Sequence, residues 1–191
     1  MVRIANHVGM MRANILLEVA TAAGVVWLGS ALFATLRKYG EKMALVALGL
    51  YILEAALLAS SRAAALSLLS ISLDYVSTGR PVYLQPEATL AFALMDSGYK
   101  LLMLPFCLGA VLFYSLLYKS RVVPRALSLW GLLSLFLVFV GMLFSFCGVE
   151  APFYLFIPYV PFEFAIGIWI LIMGVKVNSE SNLSRNDLGP N

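Results

Sequence analysis

The chain has 191 residues, of which 62% are hydrophobic and 12% charged, with a formal net charge of +3. Soluble domains run at roughly 45–50% apolar and about 25% charged, so this composition excludes a water-soluble globular protein and indicates an integral membrane protein. Its basic excess lies beside apolar stretches, where anionic lipid heads attract it, and no nucleic-acid partner is needed to explain it.

Several stretches are long enough to cross a hydrocarbon core, which takes roughly 20 apolar residues at about 1.5 Å each. They predict an all-α, polytopic transmembrane bundle with five spans, over 13–36, 43–73, 88–118, 124–149 and 151–175. Short segments of period-two alternation are missing, so helices and not a barrel are expected to satisfy the backbone in lipid. The first span follows a dozen mixed residues and ends without a small-residue cleavage site, which predicts a retained helix and not a signal peptide. "LRKYGEK" (36–42) then reads as a short polar turn with Gly40 as a helix stop. In the second span, Ala55, Ala59 and Ala63, and Ala56, Ser60 and Ala64, repeat every four positions, a packing signal for close helix approach.

The stretch 74–87, with Gly79-Arg80-Pro81 and Pro86, reads as a surface loop. Pro105 falls inside the third span, and Pro124 suits the first turn of the fourth. Pro158 and Pro161 are expected to interrupt the fifth span just before Glu163. Cys107 and Cys147 lie inside predicted spans, far from a second thiol or imidazole at ligand spacing, and read as buried structural thiols. Residues 1–177 form a single transmembrane domain in this reading, and the polar segment 178–191 a disordered cytoplasmic tail.

Basic residues set the expected orientation, because cytoplasmic loops hold the Lys and Arg excess. Placing the N-terminus outside and the C-terminus in the cytoplasm puts Arg37, Lys38, Lys42, Lys119, Arg121, Arg125, Lys176 and Arg185 on the inner side. Only Arg3, Arg12 and Arg80 are then left in outer segments. Trp130 and Trp169 lie within a few residues of inner basic clusters and suit interfacial anchoring.

Depth follows by counting inward from these boundaries. Glu54 lies about 12 residues from Lys42, and Glu163 about as far from Lys176, which puts both roughly 18 Å into the bilayer. A carboxylate there costs about 2.5–3.5 kcal/mol on insertion scales, so each should face other helices or water. If the two meet they would share a proton. Tyr51, one turn before Glu54, and Tyr159, one turn before Glu163, read either as hydrogen-bond donors to the carboxyls or as aromatic filler. Glu18, Arg62, Asp96 and Lys100 fall near the outer level. Asp96 and Lys100 can pair along one helix face. Arg62 reads first as a snorkelling interfacial anchor, otherwise as a partner of Asp96 or Glu18.

His7 is the only histidine, so His-ligated haem and zinc sites have no material, and no metal or other cofactor is expected. A Gly-rich phosphate loop, a GxSxG elbow and an internal repeat are also missing from the sequence.

"RIANHVGMMRANILLEVATA" (3–22), "ALVALGLYILEAALL" (44–58), "GAVLFYSLLYKSRVVPRALSLWGLL" (109–133) and "PFEFAIGIWILIMGVK" (161–176) resemble Domain of Unknown Function family 4386, multi-pass bacterial and archaeal membrane proteins. The most specific element is Ser120, Arg121, Pro124, Arg125 and Gly131, followed by the pattern Glu163, Trp169, Gly174 and Lys176. The resemblance implies a multi-pass helical fold but no activity. It also implies a further hydrophobic helix before the segment that begins this sequence, so the chain is expected to be short by one span.

Three functions remain open at this level. The first is a non-enzymatic structural or regulatory protein of the cell membrane, with buried carboxyls used in packing. The second is a small proton- or cation-linked transporter using Glu54 and Glu163. The third is an intramembrane lipid-modifying enzyme, with Lys119, Arg121 and Arg125 holding an anionic head group. Five helices enclose little space, so association with itself or with a partner membrane protein is expected.

Overall fold

A computed structural model of the chain describes residues 1–79, 81–149 and 151–173. The expected tail and the last residues of the fifth predicted span lie outside the described residues. The architecture is all-α: α1 (Val2–Ala5), α2 (Val8–Ser77), α3 (Leu84–Ser120), α4 (Arg125–Phe146), a single 3-10 turn (Phe153–Leu155) and α5 (Tyr159–Met173). Three of these helices are long and apolar enough to cross a membrane, and 153–169 adds a shorter apolar segment.

The 70-residue run of α2 is two helical arms joined by a reversal at Gly40, whose φ of 173° and ψ of 80° leave the helical region. That backbone is open to any residue, so glycine serves closeness here. A Cβ at Gly40 would lie 2.9 Å from Leu116 Cδ2. The arms, 8–39 (α2a) and 41–77 (α2b), fold back on each other. A Cβ at Gly29 would meet Tyr51 Cβ at 3.2 Å, and Glu18 pairs with Arg62, each pair placed symmetrically about Gly40. In α2a only Ile15, Ala22, Gly29 and Leu36 are buried, one residue in seven. Two turns of helix separate each from the next, which gives a narrow seam with the small residues Ala22 and Gly29 at its middle and leaves the other faces of α2a uncovered.

The buried face of α2b recurs every three or four residues through Tyr51, Glu54, Leu58, Arg62, Ala65 and Leu69. It packs on α3, where Gly109 lets Tyr51 approach and Gly98 lets Ser61 approach. The small-residue repeats fall largely off this face, since Ala56, Ala59, Ser60 and Ala63 are exposed. Among the described residues, only Ala55 of those repeats is buried, packed with Ala22, Leu58 and Leu102.

Helices α3 and α4 pair, and α5 returns along α4. The main core gathers near the Gly40 turn, around Leu36, Ala47, Tyr51, Phe113, Leu135 and Phe162. Phe162 is fully buried between the rings of Tyr114, Trp130 and Tyr159, pressed on Gly131. A Cβ at Gly131 would lie 2.7 Å from Phe162 Cε2, with no room for the ring to yield. Gly131→Ala is expected to destabilise the fold by about 1–3 kcal/mol, read as a lower unfolding temperature in detergent. Gly24→Ala, where nothing stands within 4 Å, is expected to leave it unchanged or slightly raised.

Three expectations are corrected. Helix continues at both ends of 74–87, to Ser77 and again from Leu84, so the loop is shorter. Pro86 falls in the first turn of α3, where a missing N–H costs no helical bond. The fifth helix begins at Tyr159 and not at 151. Pro158 lies just before it, its carbonyl accepting from Ser134 Oγ at 3.2 Å, and Pro161 sits in its first turn, so these prolines mark a start and not a break. Finally, Cys107 is buried but Cys147, next to the last residue of α4, is exposed.

Candidate functional site

Among the described residues, no Cα of α2 or α3 comes within 8 Å of a Cα of α5, which is carried by α4 and by aromatic side chains. The gap on the α2 side is a crevice of about 310 Å³. Four helical segments line it. From α2b come Tyr51 and Glu54, from α3 Phe106 and Tyr114, from α5 Tyr159 and Glu163, and from α2a an aliphatic wall that includes Leu28 and Leu32.

Glu54 stands at the back, only 7% exposed, and its Oε2 is buried with no hydrogen-bond partner among the described residues. Leaving such an acceptor unsatisfied costs about 1–3 kcal/mol, and more for a charged group. Glu163 is exposed, at the mouth. Tyr159 and Glu163 are four residues apart on α5 and so share a face. The Tyr114 and Tyr159 hydroxyls lie 3.3 Å apart, which ties α3 to α5 across the crevice. Phe106 meets Tyr159 edge-on at 5.6 Å, and Tyr51 meets Phe113 edge-on at 5.1 Å. Thr21, at the edge, gives its hydroxyl to the Leu17 carbonyl of its own helix at 2.9 Å.

The crevice is therefore acidic and aromatic. Two carboxyls and three tyrosines line it, and no Lys, Arg or His among the described residues does. The buried cation nearest along α2b is already engaged. Arg62, 7% exposed, donates from Nη1 to Glu18 Oε2 at 2.7 Å and to Ser61 Oγ from Nε at 3.2 Å and Nη2 at 3.1 Å. Arg62 thus turns inward to α2a. The snorkelling orientation is not the one adopted.

Asp96 and Lys100 pair at 2.8 Å along α3, both about half exposed, beside a groove between α3 and α4. Lys119 and Arg121 are exposed at the end of α3, where Arg121 adopts a left-handed φ of 54° that lets the chain turn into α4. The Arg125 guanidinium lies 5.5 Å from the Tyr118 ring centre. No group of three metal-ligating side chains occurs among the described residues.

Tyr114, Phe106 and the α2a wall belong to the crevice and escaped the sequence reading. One signal was available for Tyr114. Membrane tyrosines favour the interface, and this one lies more than a turn inside the end of α3.

The model of the family described as Domain of unknown function (DUF4386) matches residues 1–174. No curated protein and no solved structure matches the chain.

Proposed function

The chain belongs to the DUF4386 family, whose description assigns no function, and from its acidic crevice we propose a small proton- or cation-linked membrane transporter that uses Glu54 and Glu163. The observation that carries this reading is the unpartnered Oε2 of Glu54. A carboxyl kept for packing should bond across helices to recover part of its insertion cost. Glu54 instead keeps an unsatisfied oxygen beside a crevice lined by a second carboxyl, where a cation or a proton would complete it. The packing role attaches better to Glu18 and Arg62, whose charges meet directly.

In this proposal the protein crosses the cell membrane five times, with the arms of α2 as two spans and α5 as the last. The N-terminus faces outward and the C-terminus the cytoplasm, following the basic residues at the Gly40 turn and the α3–α4 connection. Lys119, Arg121 and Arg125 would then contact anionic lipid heads on the inner face. The uncovered faces of α2a give room for a second copy or a partner membrane protein.

Reconstituted vesicles test the transporter reading. Glu54→Gln and Glu163→Gln keep side-chain shape and hydrogen-bonding capacity, so a packing role should survive them. Each is expected to abolish cation-dependent flux while leaving expression and monodispersity in detergent unchanged. Flux equal to that of the parent chain in both variants would remove the proposal.

A further inference from the structure

The crevice has more chemistry than a proton site needs. We infer that its ligand is an organic ammonium ion, a protonated or quaternary amine bearing an apolar group, which enters between α2a and α5. This deepens the cation-site reading above and rests on it.

Charge sign comes first. With two acids and, among the described residues, no base on its wall, the crevice repels anions, and the surrounding lipid screens that field little. A hard metal ion is the next alternative. Such ions take roughly six or more oxygen ligands converging on one point, whereas among the described residues no three metal-ligating side chains gather, and the two carboxyls and the hydroxyls of Tyr51, Tyr114, Tyr159 and Thr21 are spread over four helical segments. Two of those hydroxyls already face each other.

An ammonium ion bearing carbon substituents asks for less. It needs one carboxylate for charge and ring surface around its methyl or methylene groups, where the aromatic quadrupole adds attraction. Tyr51, Phe106, Tyr114 and Tyr159 supply that surface beside Glu54, and Leu28 and Leu32 accept the apolar substituent. A volume of about 310 Å³ falls at the small end of organic-ligand pockets, which begin near 300 Å³, and far exceeds a bare ion.

The path follows from the order of the acids. Glu163, exposed at the mouth, meets the entering cation first, and Glu54 receives it at the back. Because the mouth lies between apolar helices, a ligand already dissolved in the bilayer reaches it sideways.

Calorimetric titration of the full chain in detergent with benzyltrimethylammonium tests this. Phenylmethanesulfonate, similar in shape and opposite in charge, and sodium ion serve as comparison ligands. Saturable binding of the ammonium and none of the sulfonate is expected. Glu54→Gln should weaken the ammonium by about tenfold or more, and Glu163→Gln by less. Tyr114→Leu should weaken it roughly threefold or more through lost ring surface, while Glu87→Gln, on the exposed first turn of α3, should change nothing. Unfolding temperatures of each variant separate lost binding from lost fold. Sodium binding that depends on Glu54, with no ammonium binding, would overturn the organic ligand and leave the cation site standing. No Glu54-dependent binding of either cation would overturn both.

Discussion

Arg62→Ala is expected to destabilise the folded chain by about 1–3 kcal/mol, because it leaves the partly exposed Glu18 carboxylate with Asn14 Nδ2, at 3.1 Å, but without its counter-ion. The loss should appear as a fall in unfolding temperature and in monodisperse yield in mild detergent. Replacing both partners, as Glu18→Gln with Arg62→Met, should recover most of it, since no lone charge then remains. Arg62→Lys discriminates further. The guanidinium reaches Glu18 and Ser61 together through separate nitrogens, and an ammonium group cannot reproduce that fork. Lysine keeps the counter-ion but not the fork, so it should recover only part of the alanine loss. A side chain that merely snorkelled would tolerate the exchange.

Glu54→Leu should do the opposite to stability while abolishing function. Leucine fills a similar volume and carries no acceptor to leave unsatisfied, so the variant is expected to be more stable by about 1–3 kcal/mol. It should show no cation binding and no flux. Stability gained on removing a polar group is the signature of a site held at a cost for its function. If Glu54 were a packing residue, its loss would lower the unfolding temperature instead. Sign alone decides between the two.

Much of the fold was legible because the membrane imposes it. Apolar stretches of spanning length gave the all-α bundle, and Gly40 among basic residues gave the reversal between the arms of α2. The fifth helix was misplaced for a physical reason. Proline removes a helical bond at a kink but none in a first turn, so in sequence Pro158 and Pro161 fitted either, and the start of α5 at Tyr159, with the Pro158 carbonyl turned to Ser134 just before it, separates them. The 74–87 loop was overdrawn in the same way, because Pro86 is harmless in a first turn.

For the site, counting residues gives depth but not direction around the helix. Depth alone put Glu54 and Glu163 at one level, and the crevice they both line has Glu54 at its back and Glu163 at its mouth. Arg62 shows the limit. Its level was readable, but its inward turn depends on Glu18 arriving from α2a through the Gly40 reversal. Tyr114 and Phe106 were missed because their roles depend on which face of α3 meets α5, a matter of packing between distant segments.

The most direct measurement is chemical labelling of Glu54 in the membrane-embedded chain with an apolar carbodiimide, read by mass spectrometry of the peptide that carries it. The account predicts an adduct on Glu54, suppressed in proportion to added benzyltrimethylammonium and unaffected by phenylmethanesulfonate. A Glu54 that stays unlabelled in the folded protein, or is labelled equally with and without the ammonium ion, would contradict it.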